Sequence, residues 1–128
     1  MENQGVELFA KQLIEKVRDR AIMNCDGYLT ADKLYAAAVG PGSQFSRAEF
    51  DRLVQYVISN SVDTTLFYLC LSIDYGELNL RYSADNGDDL NLTEAGEQEM
   101  AGWYAMLDNE EGWRQRFSKE RIQDDFGD

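Results

Sequence analysis

The chain has 128 residues, with 24 Asp and Glu against 12 Lys and Arg, a formal charge of −12, and no histidine. The missing histidine excludes Ser/His and Cys/His catalytic pairs, imidazole metal ligands and the usual proton shuttle near neutral pH. The length suits one domain, and 44% hydrophobic with 12% aromatic residues is enough apolar material for one modest core.

The opening Met1-Glu2-Asn3-Gln4-Gly5 has an acidic residue and no basic one, and the following apolar positions are interrupted by Glu7, Lys11, Glu15 and Lys16. A secretory signal needs a basic start and an unbroken apolar stretch, so none is expected. The longest apolar run, Leu66 to Leu71, has six residues, against the ~20 needed to span a membrane. Cys25 and Cys70 belong to no C-x-x-C pair and read as reduced thiols. A cytoplasmic protein is expected.

In chain order, residues 6–21 space Phe9, Leu13, Val17 and Ala21 as an amphipathic helix. Asn24-Cys25-Asp26-Gly27 is turn chemistry, and Thr30 is placed to cap a short helix from Asp32 to Val39 that buries Leu34, Tyr35 and Ala38. Gly40-Pro41-Gly42 stops it. Ser46 and Glu49 match a capping box, ahead of a third helix with a stripe of Phe50, Leu53, Val54, Val57 and Ile58. Asn60 to Ile73 suits either a strand or a buried helix; the length and apolar count favour a helix, capped near Asp63.

From Gly76 to Thr93 the period becomes two, with Leu78 and Leu80 before the turn Asp85-Asn86-Gly87-Asp88 and Leu90 and Leu92 after it, as in a β-hairpin. Thr93 can cap a helix carrying Met100, Trp103, Tyr104 and Leu107, which Gly96 and Gly102 weaken by roughly 1 kcal/mol each relative to Ala. Asp108 to Gly112 breaks it, and Trp113, Phe117 and Ile122 suggest a last short helix with an acidic tail. The expected fold is mainly α within the α+β class, a compact single domain of about five or six helices with one small antiparallel β-hairpin.

Charge is unevenly distributed. Residues 1–60 hold seven basic and eight acidic side chains, and residues 61–128 hold five basic and 16 acidic. From Asp74 to Glu111, eleven acidic residues face Arg81 alone. Solubility would be served equally by dispersed charge, so this concentration points to a basic partner, approached faster through complementary fields. Asp85, Asp88, Asp89, Glu94, Glu97, Asp108, Glu110 and Glu111 are expected to steer and pair, with Trp113 as the aromatic anchor.

Other chemistry is weakly supported. Asp88, Asp89 and Glu94 offer carboxylates for acid/base work or a divalent cation, but aligning Gly87 with the sixth position of an EF-hand loop leaves Tyr82, Ala84 and Thr93 at ligand positions. The segment reads better as a turn. Phosphate-cradling glycine patterns and the G-x-S-x-G elbow are absent. No catalytic residue, metal or cofactor is expected.

In size and charge the sequence resembles bacterial immunity proteins and other small acidic inhibitors. That resemblance implies a non-catalytic module covering a basic site on a toxin or a nucleic-acid-binding protein. A second resemblance lies in element order and in Leu92-Thr93-Glu94-Ala95-Gly96, which is similar to the Leu-Thr-Glu-x-Gly segment after the wing of winged-helix regulators. It implies DNA binding, yet Arg47 and Arg52 are offset by Glu49 and Asp51, and the wing positions 83–89 carry no Lys or Arg. Direct nucleic-acid or membrane binding is therefore not expected. A structural or assembly subunit, with surplus aromatics in a homodimer interface, is the third reading.

Overall fold

The computed structural model describes residues 3–29, 32–40, 42, 44–85, 87, 89–107 and 110–122. Helices α1 (Gln4–Gln12) and α2 (Asp19–Leu29) are joined by a π-helical turn, Leu13–Arg18, into one continuous rod. The inward positions Val6, Ala10, Ile14, Arg18 and Ile22 are fully buried. They recur every four residues, a longer period than the 3.6 of an α-helix, and the wider π turn absorbs the difference. Val17, expected on the apolar stripe, is consequently turned outward, and Arg18 takes the inward place.

The expected turn at Asn24 to Gly27 is helical. The Asp26 carboxylate accepts from both terminal nitrogens of Arg121 at 2.5 and 2.9 Å. Helix α3 (Asp32–Val39) forms where expected but buries no residue: Leu34 and Tyr35 are half-buried and Ala38 is exposed. It is held through Tyr35, whose ring stands edge-on to Phe50 and whose hydroxyl donates to the Phe45 carbonyl at 2.6 Å. Thr30 and Pro41 lie outside the described residues.

The capping box is present, with the Glu49 amide donating to Ser46 Oγ at 3.0 Å. It starts a single 28-residue helix, α4 (Arg47–Asp74), rather than two helices. Nothing between Ile58 and Asp63 breaks it, so Asp63 is no cap; it is buried at the middle of the rod. Leu53 and Val57, expected in the core, are about half exposed.

Strands β1 (Arg81–Ser83) and β2 (Asp89–Asn91) form the expected antiparallel hairpin, with Tyr82 opposite Leu90. Gly87 sits in its turn at φ +95°, a conformation suited to glycine. Leu78 and Leu80 precede the strands and are exposed. The hairpin docks on α1: Tyr82 stands edge-on to Phe9 at 5.5 Å, and Leu90 packs so closely on Gly5 that a Cβ there would displace the Leu90 side chain.

The expected helix from Thr93 is two, α5 (Leu92–Ala95) and α6 (Met100–Ala105). Asn91 caps α5 by accepting from the Glu94 amide, while the Thr93 hydroxyl donates to the Ile73 carbonyl at 2.8 Å. Between them, Glu97 and Gln98 turn the chain at φ 54° and 63°. Helix α7 (Trp113–Phe117) ends before Ile122. The core lies where α1, the π turn and the second half of α4 meet α6 and α7, around Ile14, Cys70, Ile73, Met100, Tyr104 and Trp113. Among the described residues, no helix is long and apolar enough to cross a membrane.

Candidate functional site

Two polar constellations lie in and on this core. The inner one is built on Asp63. Its carboxylate accepts from Arg18 Nε at 2.6 Å and Arg18 Nη2 at 3.2 Å, from the Tyr104 hydroxyl at 2.6 Å and from Arg114 Nη1 at 2.9 Å. Arg18 Nη1 also donates to Asp19 and to Ser118 Oγ, both at 2.9 Å, and Arg114 donates onward to the carbonyls of Tyr104 and Ala105. Two guanidiniums and two carboxylates thus balance inside the fold. Burial pushes the Asp63 carboxyl up, but the bonds from Arg18 and Tyr104 and the charges of Arg18 and Arg114 outweigh it and hold it below its ordinary value. Burial, with the Asp63 charge beside it, raises the Tyr104 phenol. With every Asp63 lone pair engaged, this network fixes α4, α6 and α7 to the π turn and offers no free base or nucleophile.

The outer constellation rests on that frame. Asp74, at the end of α4, is buried and receives the Met100 and Ala101 amides at 3.1 and 2.9 Å, so it satisfies the open N-terminus of α6. This places Glu99 and α6 against α7 and α1, and a groove of about 840 Å³ opens between them. Glu7, Glu99, Glu110 and Glu111 supply four carboxylates to its lining, and Trp103, Met106 and Gly102 supply its less polar part. Arg116 also lines it, in an ion pair with Glu7.

Of the residues singled out in the sequence, Glu110 and Glu111 are in this groove and exposed. Glu97 is exposed in the turn leading to its edge, and Glu94 is exposed on α5. Asp85 and Asp89 are exposed on the hairpin, where Asp89 pairs with Arg81 at 3.4 Å. They are not groove residues. Asp88 and Asp108 lie outside the described residues. Trp113 is a correction: it is fully buried, 6.0 Å from Trp103 and edge-on to Phe9, so it is a core residue and cannot anchor a partner. Trp103, although only 7% exposed, is the tryptophan that reaches the groove.

Glu7, Glu99 and Arg116 are not among the partner-binding residues expected from the sequence. Glu99 had the acidic segment as a signal, whereas Glu7 and Arg116 are 109 residues apart and nothing local links them. Within the acidic segment, Glu77, Asp85, Asp89, Glu94, Glu97, Glu99, Glu110 and Glu111 are exposed, whereas Asp74 is buried. Among the described residues, no group of three or more His, Cys, Asp or Glu side chains is arranged to hold a metal ion. No protein-family model matches the sequence, and neither curated proteins nor solved structures show significant similarity to it.

Proposed function

We propose that the protein is a non-catalytic, acidic protein-binding module of the immunity or inhibitor kind, which lays the groove between α1, α6 and α7 over a basic site on a partner protein. The observation that carries this reading is the gathering of Glu7, Glu99, Glu110 and Glu111 around one concave surface that also presents Trp103 and Met106. Carboxylates at a rim steer a cationic partner, and an aromatic and a thioether inside give it apolar contact. Arg116 supports the reading from within, because a guanidinium already sits in the groove beside a carboxylate. Both cysteines are free, Cys70 in the core, in keeping with a reducing cytoplasm. The acidic surface disfavours nucleic acid, whose non-specific affinity comes from Lys and Arg on phosphates.

The test is capture of the partner from the source cells on the immobilised full chain, released by high salt, followed by association kinetics. The triple substitution Glu99→Lys, Glu110→Lys, Glu111→Lys should slow association by roughly ten- to a thousandfold at low salt and flatten its salt dependence. Unchanged kinetics would remove the groove from the binding surface, and tight binding of duplex DNA by the wild-type chain would favour a nucleic-acid-directed role instead.

A further inference from the structure

Apart from the acidic groove, a second hollow opens over the inner network, between the middle of α4, the end of α6 and the start of α7, with a volume of about 400 Å³. Its lining divides by burial. Asp63, Tyr104 and Arg114 are 4%, 1% and 5% exposed and form its inner end. Thr64, Tyr68 and Ala105 are exposed and stand at its mouth, and Phe67 and Leu107 are half-buried between the two. A few fixed polar groups beside apolar and aromatic walls are the ordinary make-up of a small-molecule site.

The two buried arginines spend their hydrogens differently. A guanidinium carries five N–H donors. Arg18 uses all five, two on Asp63 and one each on Asp19, Ser118 Oγ and the Arg121 carbonyl. Arg114 uses three, on Asp63 and on the carbonyls of Tyr104 and Ala105. Among the described residues nothing accepts its other two, one on each terminal nitrogen, and of the two arginines it is Arg114 that lines the hollow. Its three bonds and its place over the Tyr104 ring, 5.1 Å from the centroid, hold it fixed. Asp63, by contrast, already accepts four bonds. The inner end of the hollow therefore has donors to offer and no acceptor, and a buried donor left unmatched is costly.

We propose that this hollow binds a small carboxylic acid with an apolar body, the carboxylate accepting from the terminal nitrogens of Arg114 and the carbon part lying against Phe67, Tyr68 and Leu107. A planar carboxylate is the ordinary partner of a guanidinium with donors to spare, and the charge-assisted bond is the strong kind. Asp63 does not bar it, because Arg18 neutralises that carboxylate from outside the hollow through two bonds. A cation would find only the engaged Asp63, and a phosphate would bring more charge than the single guanidinium of the lining can meet. The hollow shares no lining residue with the acidic groove, so this inference does not rest on the proposed function.

Titration of the full chain with phenylacetate at pH 7, followed by two-dimensional NMR, tests it. A ligand of about ten non-hydrogen atoms should saturate with a Kd of about 1 mM or tighter, moving the Arg114 side-chain Nε–H signal and the amides of Thr64, Tyr68 and Ala105. The neutral counterpart 2-phenylethanol should bind at least roughly tenfold more weakly, since it offers no charged acceptor. Gly-Gly-Phe, which carries the same groups at a chain end, should also bind less well, and tighter binding of that peptide would overturn the free acid as the ligand. Arg114→Lys, which keeps the charge and loses the planar fork, should weaken phenylacetate by roughly tenfold, with circular dichroism reporting the fold. Should that variant not fold, Ala105→Phe, at the exposed mouth, decides instead by filling the hollow and abolishing the shifts, while Lys33→Ala on α3 leaves them unchanged. No shift up to about 10 mM, equal binding of 2-phenylethanol, or shifts that persist in Ala105→Phe would overturn the proposal.

Discussion

Asp63 and Arg18, 45 residues apart, form a two-point ion pair at the centre of the molecule, through Nε to Oδ1 at 2.6 Å and Nη2 to Oδ2 at 3.2 Å. Arg18 has no exposed surface and Asp63 has 4%. Neither charge can return to water if the other is removed. Asp63→Ala would strand two buried guanidiniums, those of Arg18 and Arg114, and remove the acceptor of the Tyr104 hydroxyl. A loss of about 3–5 kcal/mol of stability is expected, read as a lower urea midpoint. A loss below about 1 kcal/mol would mean that water replaces the carboxylate and that the pair does not fasten the fold.

Two buried carboxylates give opposing pH dependences. Asp63 is held below its ordinary value of 3.8, so the stability it contributes is present above that value and lost as pH falls through its lower folded pKa. Asp74 is raised, by burial that the Ala101 and Met100 amides only partly offset. Its contribution is complete below 3.8 and lost as pH rises through its higher folded pKa. Acidification from pH 7 also discharges the exposed carboxylates and relieves their mutual repulsion. Stability measured by urea should therefore rise on mild acidification and fall once pH drops below about 3.8. A monotonic decline from pH 7 downward would contradict this balance.

Much of the fold is legible in local sequence because its causes are local. The Ser46 and Glu49 cap, the glycine-bearing hairpin turn and the apolar weight of 60–73 each act within a few residues. The inner network is not legible in this way, since Asp63 meets partners at 18, 104 and 114 and its local signal is only a lone acid in an apolar stretch. That signal looks the same for a helix cap and for a buried ion pair. The groove was half legible: Glu110 and Glu111 stand in the acidic segment, but Glu7 and Arg116 arrive through the packing of α1 on α7. Both tryptophans belong to the core, and it is Trp103 and not Trp113 whose edge reaches the groove, because residues ten apart on separate helices are placed by tertiary packing alone.

Asp74 makes a separate, local prediction. Its two oxygens take the amides of Met100 and Ala101, two donors that the start of α6 leaves unpaired by helix geometry. Asp74→Ala should cost about 1–3 kcal/mol and speed hydrogen exchange at those two amides most strongly, with the Asp63 network less affected. Exchange that rises uniformly across the core would mean that Asp74 supports the whole domain and not chiefly the α6 terminus.

Gly102 and Gly112 should respond in opposite directions to alanine. Gly102 lies within α6, and a Cβ there would meet nothing within 4 Å, so Gly102→Ala lowers the entropy of the unfolded chain and adds no clash. A gain of about 0.5–1 kcal/mol is expected. At Gly112, just before α7, a Cβ would collide with the carbonyl oxygen of Met106, a backbone atom that cannot swing aside. Gly112→Ala should cost about 1–3 kcal/mol and shift the 110–112 turn, which carries two of the groove's carboxylates. Gly96, which also looks like a helix-weakening residue, belongs with Gly112. Its Cβ would lie 2.6 Å from Met100 Cγ and 2.9 Å from the Leu92 carbonyl oxygen, so alanine there should destabilise. Thermal unfolding of the three variants side by side checks the signs, and a stabilised Gly112→Ala would show that Met106 and α7 are not packed this closely.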